Sequence, residues 1–145
     1  MNIPRGIRNN NPGNIRDTSV PWNGLLPGGR DGETTFEVFK ASWWGLRALA
    51  ILLRNYSRKY GLTTVREIIN RWAPPSDNNP TSDYVRYVSR KIGRDADATL
   101  DMETYDDVRP LVEAIVEFEN GEDPYSWEYE AGLILAGIEP GEEQI

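Results

Sequence analysis

The sequence contains no cysteine and no histidine among its 145 residues. Thiol nucleophiles, Ser-His-Asp triads and nearly all zinc sites are therefore excluded, because each needs one of these two residue types. If the protein is an enzyme, its acid–base groups must be Asp, Glu, Tyr or Lys, and carboxylate chemistry is the leading option. No metal ion or cofactor is expected.

The sequence also lacks long apolar runs. None approaches the roughly 20 residues that a membrane-spanning helix needs, so we expect no membrane insertion. The charged start at Arg5 is not followed by the apolar core of a signal peptide. We therefore expect a protein made in the cytoplasm that reaches any target outside it by another route.

Basic residues are scarce, and the net charge is −7. This charge argues against nucleic-acid binding, which needs a basic face. From Asp95 onward, Arg109 is the only basic residue, whereas residues 1–30 are basic. The basic part is expected to dock on the acidic part, with recruitment of an anionic ligand as the alternative. The arginines of the basic part are Arg5, Arg8, Arg16 and Arg30.

Residues 1–40 carry little helical pattern. Residues 9–14 (NNNPGN) form a dense cluster of turn residues. Residues 34–39 alternate between polar and apolar side chains, which predicts a strand. We expect these 40 residues to form a small, irregular, β-rich lobe.

Residues 41–138 show helical periodicity in five segments, which predicts a helical lobe. Ser42, Thr63 or Thr64, Thr81 or Ser82, and Ser126 are expected to cap four of the helices. The remaining helix is expected to run from about Tyr105, with Pro110 in its first turn. Gly61, Gly93 and Gly121 suit helix ends. The sequence thus predicts a mostly α (α+β) fold, as one domain over residues 1–145.

Glu119 is the candidate acid–base residue. It lies in the last turn of an apolar helix that is expected to stop at Asn120 and Gly121. Burial against apolar neighbours such as Phe118 raises a carboxyl pKa, as the general acid of glycoside hydrolysis requires. The negative end of a helix disfavours a carboxylate, so this glutamate needs either a function or full solvation. A solvated surface glutamate is the alternative.

Acidic residues near the predicted strand are candidates for a second carboxylate. Glu33 precedes the strand on a turn and is the preferred candidate. Glu37, within the strand, is the alternative, although a surface charge is the simpler expectation there. The five Trp and seven Tyr suit either a core or a sugar-binding cleft. Asn11 and Asn14 suit sugar amides and hydroxyls, but such side chains equally stabilise turns.

Seven motifs follow one another along the chain: residues 5–16 (RGIRNNNPGNIR), 22–24 (WNG), 36–39 (FEVF), 45–50 (GLRALA), 60–65 (YGLTTV), 71–75 (RWAPP) and 119–121 (ENG). In this order they resemble a family of small phage and prophage virion-associated proteins, which are described as structural proteins or as peptidoglycan hydrolases. The likeness covers nearly the whole chain and implies a phage or prophage origin.

A second likeness concerns mechanism. Residues 119–121, followed by residues 124–126 (PYS), are similar to the Glu-Ser-Gly turn of lytic transglycosylases. In that superfamily the glutamate helix precedes a small β-rich lobe, whereas here the order is reversed. The likeness implies a circularly permuted lysozyme-like domain, which is reasonable where chain termini lie close together. It implies that Glu119 is the general acid and then the base, that Glu33 is the second carboxylate, and that Asn14, Trp22 and Tyr125 line the sugar cleft.

The expected function is cleavage of the glycan strand of peptidoglycan, as a muramidase or a lytic transglycosylase. The expected partner is bacterial peptidoglycan, with other virion proteins as further partners, and the protein is expected to be a monomer. Virion delivery or release through a holin would bring it to the cell wall. The first alternative is a non-catalytic virion or wall-binding protein of the same fold. The second is an acidic inhibitor that mimics nucleic acid, which needs rows of carboxylates on one face.

Overall fold

The computed structural model describes residues 2–141, which are mostly helical. The predicted mostly α class is confirmed, and a short N-terminal helix that was not predicted is added. Within the described range, no helix is both long and apolar enough to cross a membrane. The helices are α1 (Arg5–Arg8), α2 (Ser42–Tyr60), α3 (Val65–Trp72), α4 (Thr81–Ile92), α5 (Tyr105–Asn120) and α6 (Trp127–Leu135), with a 3-10 helix at Pro75–Asp77.

Local sequence signals define several of the helix ends. Thr64 caps α3 by accepting the Glu67 N–H at 3.1 Å, and the Glu67 side chain accepts the Thr64 N–H in return. Gly61, Gly93 and Gly121 follow their helices with φ of 67°, 69° and 72°. These left-handed conformations suit glycine because it has no Cβ. All three predicted stops are therefore confirmed.

Other predicted helix starts are wrong in detail. Ser42 and Thr81 are the first residues of α2 and α4 rather than their caps. Ser126 occupies the cap position of α6, but its side chain makes no capping hydrogen bond. These helices are fixed by burial of their apolar faces rather than by their first residues.

Pro110 lies in the second turn of α5 rather than in its first turn. The turn ahead of the proline is fixed by other contacts. Val108 is fully buried, and its N–H donates to the Thr104 carbonyl at 3.0 Å. The Asp107 side chain accepts the Asp101 N–H at 2.7 Å. These contacts offset the hydrogen bond that a proline cannot make within a helix.

The N-terminal lobe is irregular, as predicted, but it is not β-rich. Within residues 2–141 its β-structure consists of two isolated antiparallel bridges, Arg16 with Phe36 and Leu25 with Phe39. The predicted strand at residues 34–39 is therefore wrong. The segment is extended and bonds the backbone of two other segments, since the Glu37 N–H donates to the Ile15 carbonyl and the Leu26 N–H donates to the Val38 carbonyl, both at 2.9 Å, but each pairing is a single bridge rather than a strand. Asparagine side chains bond it as well, because Asn11 Nδ2 donates to the Glu37 carbonyl at 3.0 Å and Asn10 Nδ2 donates to the Phe39 carbonyl at 3.2 Å.

The lobe packs closely on α2, the central helix. A Cβ on Gly45 of α2 would lie 2.2 Å from the Asn10 carbonyl oxygen, so the backbones meet there. Buried residues from Ile15 in the lobe to Ile138 after α6 form one hydrophobic cluster. This packing places the asparagine turn of the lobe against the C-terminal end of α5, where Glu119 lies.

Candidate functional site

Glu119 is held by side chains from two distant parts of the chain. The Tyr84 hydroxyl of α4 donates to Glu119 Oε2 at 2.9 Å. Asn14 Nδ2 of the lobe donates to Glu119 Oε1 at 3.3 Å. Next to it, Asn120 Nδ2 donates to the Pro12 carbonyl at 2.8 Å. The lobe thus docks on the end of α5 through amide groups. Within residues 2–141, no ion pair joins a lobe arginine to the acidic part of the chain.

Two aromatic side chains, Trp72 and Phe118, fix the position of Tyr84. Trp72 Nε1, at the end of α3, donates to the Tyr84 hydroxyl at 3.2 Å. The Tyr84 ring stacks on Phe118, with ring centroids 3.8 Å apart. Because Tyr84 is buried and has a donor behind it, its own hydroxyl proton is directed at Glu119.

The surroundings of Glu119 raise its pKa above the ordinary value of a glutamate. Burial is the largest cause, because it disfavours the ionised form. Hydrogen bonds from Tyr84 and Asn14, together with the nearby indole N–H of Trp72, act in the opposite direction but do not offset burial. The carboxyl group is therefore both oriented and shifted towards the protonated state, which are the two properties that a general acid needs.

Glu119 lies on the wall of a cleft with a volume of about 430 Å³. This volume is within the usual range of small-molecule sites, about 300–1,000 Å³. The predicted residues Glu119, Asn14 and Trp22 all face this cleft, and their roles in catalysis or binding remain predictions. The side chains that line it include Asn14, Arg16, Trp22 and Phe36 of the lobe, Leu52 and Tyr56 of α2, and Trp72, Asp77 and Asn79.

Glu33 is not among the residues that line the cleft. Arg5 binds both of its carboxylate oxygens, at 2.8 and 2.9 Å, and Asn9 Nδ2 donates to it at 2.8 Å. Its side chain is only 1% exposed. Hydrogen bonds from Arg5 and Asn9 hold the pKa of Glu33 well below its usual range. The geometry therefore assigns Glu33 to the folding of the lobe rather than to the cleft.

Two further predicted binding residues also lie away from the cleft. Asn11 is fully buried, and its side chain bonds the backbone of Ile15 and Glu37. It stabilises the turn, which was the alternative interpretation. Tyr125 packs edge-on against Tyr129, with ring centroids 6.1 Å apart, and is absent from the cleft lining. The prediction that Asn11 and Tyr125 bind sugar therefore has no support in the cleft geometry.

Glu37 is buried rather than on the surface, with 7% of the residue exposed. Burial, reinforced by the negative charge of Asp17, raises the pKa of Glu37. It does not line the cleft either. The expected surface charge is therefore wrong, and the alternative role as second carboxylate has no support in the cleft geometry.

Sequence reasoning did not identify Tyr84, Trp72 and Asp77 as residues of the site, and it named Arg16 only as one of the basic residues of the lobe. Tyr84 lies on the buried face of α4, where only the rule that a buried tyrosine hydroxyl usually has a polar partner points to a role beyond packing. Asp77 lies in a polar loop that carried no recognisable pattern. It is the cleft-lining residue, besides Glu119, that carries a carboxylate. Within residues 2–141, no group of three or more Asp or Glu residues could hold a metal ion.

A comparison with known proteins places the chain among phage proteins. Protein P5 of Pseudoalteromonas phage PM2 is 41% identical to it over 127 residues, which are 86% of this chain and 76% of P5. The chain belongs to the P5 family. The phage origin that the motifs implied is thereby confirmed. No protein-family model matches the sequence. The name of P5 describes no activity, so peptidoglycan cleavage remains a prediction for this protein.

Proposed function

We propose that the protein cleaves the glycan strand of bacterial peptidoglycan, with Glu119 as general acid and then general base. One observation carries the proposal. A buried carboxyl group with a raised pKa faces an open cleft of sugar-binding size, and hydrogen bonds from Tyr84 and Asn14 orient it. Buried carboxylic acids of this kind protonate the leaving oxygen in glycoside hydrolysis.

The cleft supports two forms of the reaction. In a muramidase, a second carboxylate activates water or attacks the sugar, and Asp77 is the cleft residue that offers this group. In a lytic transglycosylase, a hydroxyl of the substrate itself attacks, so Glu119 suffices. We propose Asp77, in place of Glu33, as the second carboxylate if water is the nucleophile.

The arrangement of the lobe supports a lysozyme-like, circularly permuted fold. Asn14 lies 105 residues before Glu119, and the two side chains are hydrogen-bonded. The lobe thus forms one wall of the cleft, and α2, Trp72, residues 73–79 and Glu119 contribute the rest of the lining. The lobe precedes the glutamate helix in the chain, which is the reverse of the order in lytic transglycosylases. Phage origin agrees with a wall-degrading role, in which virion delivery or holin release brings a monomer to the peptidoglycan.

The test is mass spectrometry of purified peptidoglycan after incubation with the protein and with its Glu119→Gln variant. Glu122→Gln is the matched control, because Glu122 is exposed and follows the same helix. We expect the wild type and the control to release muropeptides, and Glu119→Gln to lose at least about 100-fold in rate. A product lighter by one water molecule identifies a transglycosylase.

Other outcomes contradict the proposal in distinct ways. If neither the wild type nor Glu122→Gln releases muropeptides, the protein is a non-catalytic virion or wall-binding protein. If Glu119→Gln retains the wild-type rate, cleavage occurs elsewhere.

The Asp77→Asn variant distinguishes the two forms of the reaction. A large loss of cleavage rate in this variant, with no loss of folding, indicates hydrolysis by water.

A further inference from the structure

Arg16 is a cleft residue that Glu119 chemistry does not use. Its backbone is fixed by the bridge to Phe36, and its guanidinium carbon lies 5.7 Å from the centre of the Phe36 ring. Both residues line the cleft that contains Glu119. The aromatic ring supports the guanidinium from one side, so that the cation is presented from the wall of the cleft.

Arg16 lies near Arg5 in space but, unlike Arg5, has no ion-pair partner among the described residues. Arg5 contacts the same Phe36 ring, at 4.7 Å, but its charge is paired with Glu33. Among the ion pairs formed by residues 2–141, none involves Arg16. Asp77 lines the same cleft, and none of these ion pairs joins it to Arg16. In a protein with a net charge of −7, an uncompensated arginine in a cleft indicates an anionic ligand.

We propose that Arg16 binds a carboxylate carried by the glycan chain, and that it makes the cleft select carboxylated over neutral strands. The inference rests on the proposed function, because it specifies the substrate of the same cleft. A guanidinium binds a carboxylate through two parallel hydrogen bonds, and an amide accepts only part of that pattern. In peptidoglycan such a carboxylate is the free lactyl group of a muramic acid without its peptide.

Binding tests this preference without relying on cleavage. One probe is peptide-free glycan strands, and the second is the same strands with their carboxyl groups converted to methylamides. Affinities are measured by calorimetry with the Glu119→Gln variant, alone and combined with Arg16→Gln, Arg16→Lys or Arg8→Gln. Arg8 is the matched control, since it is an exposed lobe arginine outside the cleft and its loss changes the net charge equally.

We expect Glu119→Gln to bind carboxylated strands about tenfold more tightly than amidated strands. Arg16→Gln should remove this preference by lowering the affinity for carboxylated strands alone, and Arg16→Lys should retain part of the preference. Arg8→Gln should retain the full preference. High salt should reduce it, since a partly exposed ion pair is screened.

Three results overturn the inference. In the first, Arg16→Gln weakens the binding of both probes equally. In the second, the preference for carboxylated strands survives this substitution. In the third, the protein binds neither probe. Failure of the proposed function is recognised separately, because wild-type protein would then release no muropeptides. In that case a retained, Arg16-dependent preference describes a carboxylate-binding cleft without cleavage.

Discussion

At the scale of single residues, Glu119 is subject to two opposing effects. Burial raises its pKa, and the donors around it lower its pKa. The balance matters, because a general acid must keep its proton while its oxygens remain oriented. Tyr84 contributes to both, since it is buried against Phe118 and donates to Glu119 Oε2.

Replacing Tyr84 with Phe separates these effects. The hydroxyl stabilises the ionised carboxylate, so its loss should raise the pKa of Glu119 further. NMR titration of the Glu119 carboxyl carbon measures this directly. In the proposed reaction, the high-pH limb of the rate profile, where the acid loses its proton, should move to higher pH. The maximal rate should fall about three- to tenfold as orientation is lost.

Tyr87→Phe is the matched control, because Tyr87 also lies on α4 and contacts Phe118, with ring centroids 5.4 Å apart. Its hydroxyl is influenced by Glu117 and not by Glu119, since burial and the neighbouring Glu117 carboxylate together raise the pKa of Tyr87. The Glu119 titration should be unchanged in this variant. A Tyr84→Phe protein in which Glu119 titrates at a lower pH would contradict the assigned hydrogen bond.

At the scale of elements, sequence reasoning succeeded where the signal is local. Gly61, Gly93 and Gly121 mark helix ends because a left-handed residue is a property of one position. It failed for residues 34–39, since alternation of side chains does not reveal that the segment pairs with two other segments only through isolated bridges, with asparagine side chains bonding the carbonyls between them. The hydrogen-bond partners of Glu119 could also not all be predicted, because some of them are distant along the chain. Tyr84 is 35 residues away along the chain, and only packing brings the two together.

The contact between α2 and the lobe gives a prediction at this scale. Alanine normally stabilises a helix relative to glycine. At Gly45, however, the new Cβ would lie 2.2 Å from the backbone oxygen of Asn10. Gly45→Ala should therefore destabilise the protein by about 3 kcal/mol, because two backbones must separate. Urea unfolding measures the change.

Gly141→Ala is the control, because a Cβ there meets no atom within 4 Å. Its free energy of unfolding should stay within about 0.5 kcal/mol of the wild type. If Gly45→Ala were as stable as the wild type, the lobe would not be seated on α2 as described.

At the scale of the whole molecule, the site depends on a lobe with almost no regular structure. Its shape is maintained by side chains that bond the backbone and by one charged cluster around Glu33. Arg5, Asn9 and the N–H groups of Thr35 and Phe36 all donate to this carboxylate. Since Arg16 and Phe36 form a wall of the cleft, the cluster positions the candidate site without lining it.

The Glu33 cluster makes the stability of the protein depend on pH. The pKa of Glu33 is lowered on folding, so its contribution is complete above the unfolded value of about 4.3 and is lost as the pH falls towards the folded value. Glu33→Gln should cost on the order of 2 kcal/mol at neutral pH, since charged hydrogen bonds are replaced by weaker ones. Urea unfolding between about pH 3 and pH 7 should show the wild-type and variant curves converging on the acid side. The exposed Glu122→Gln should match the wild type throughout. A gap that stays constant with pH would mean that Glu33 stabilises the lobe by its shape and not by its charge.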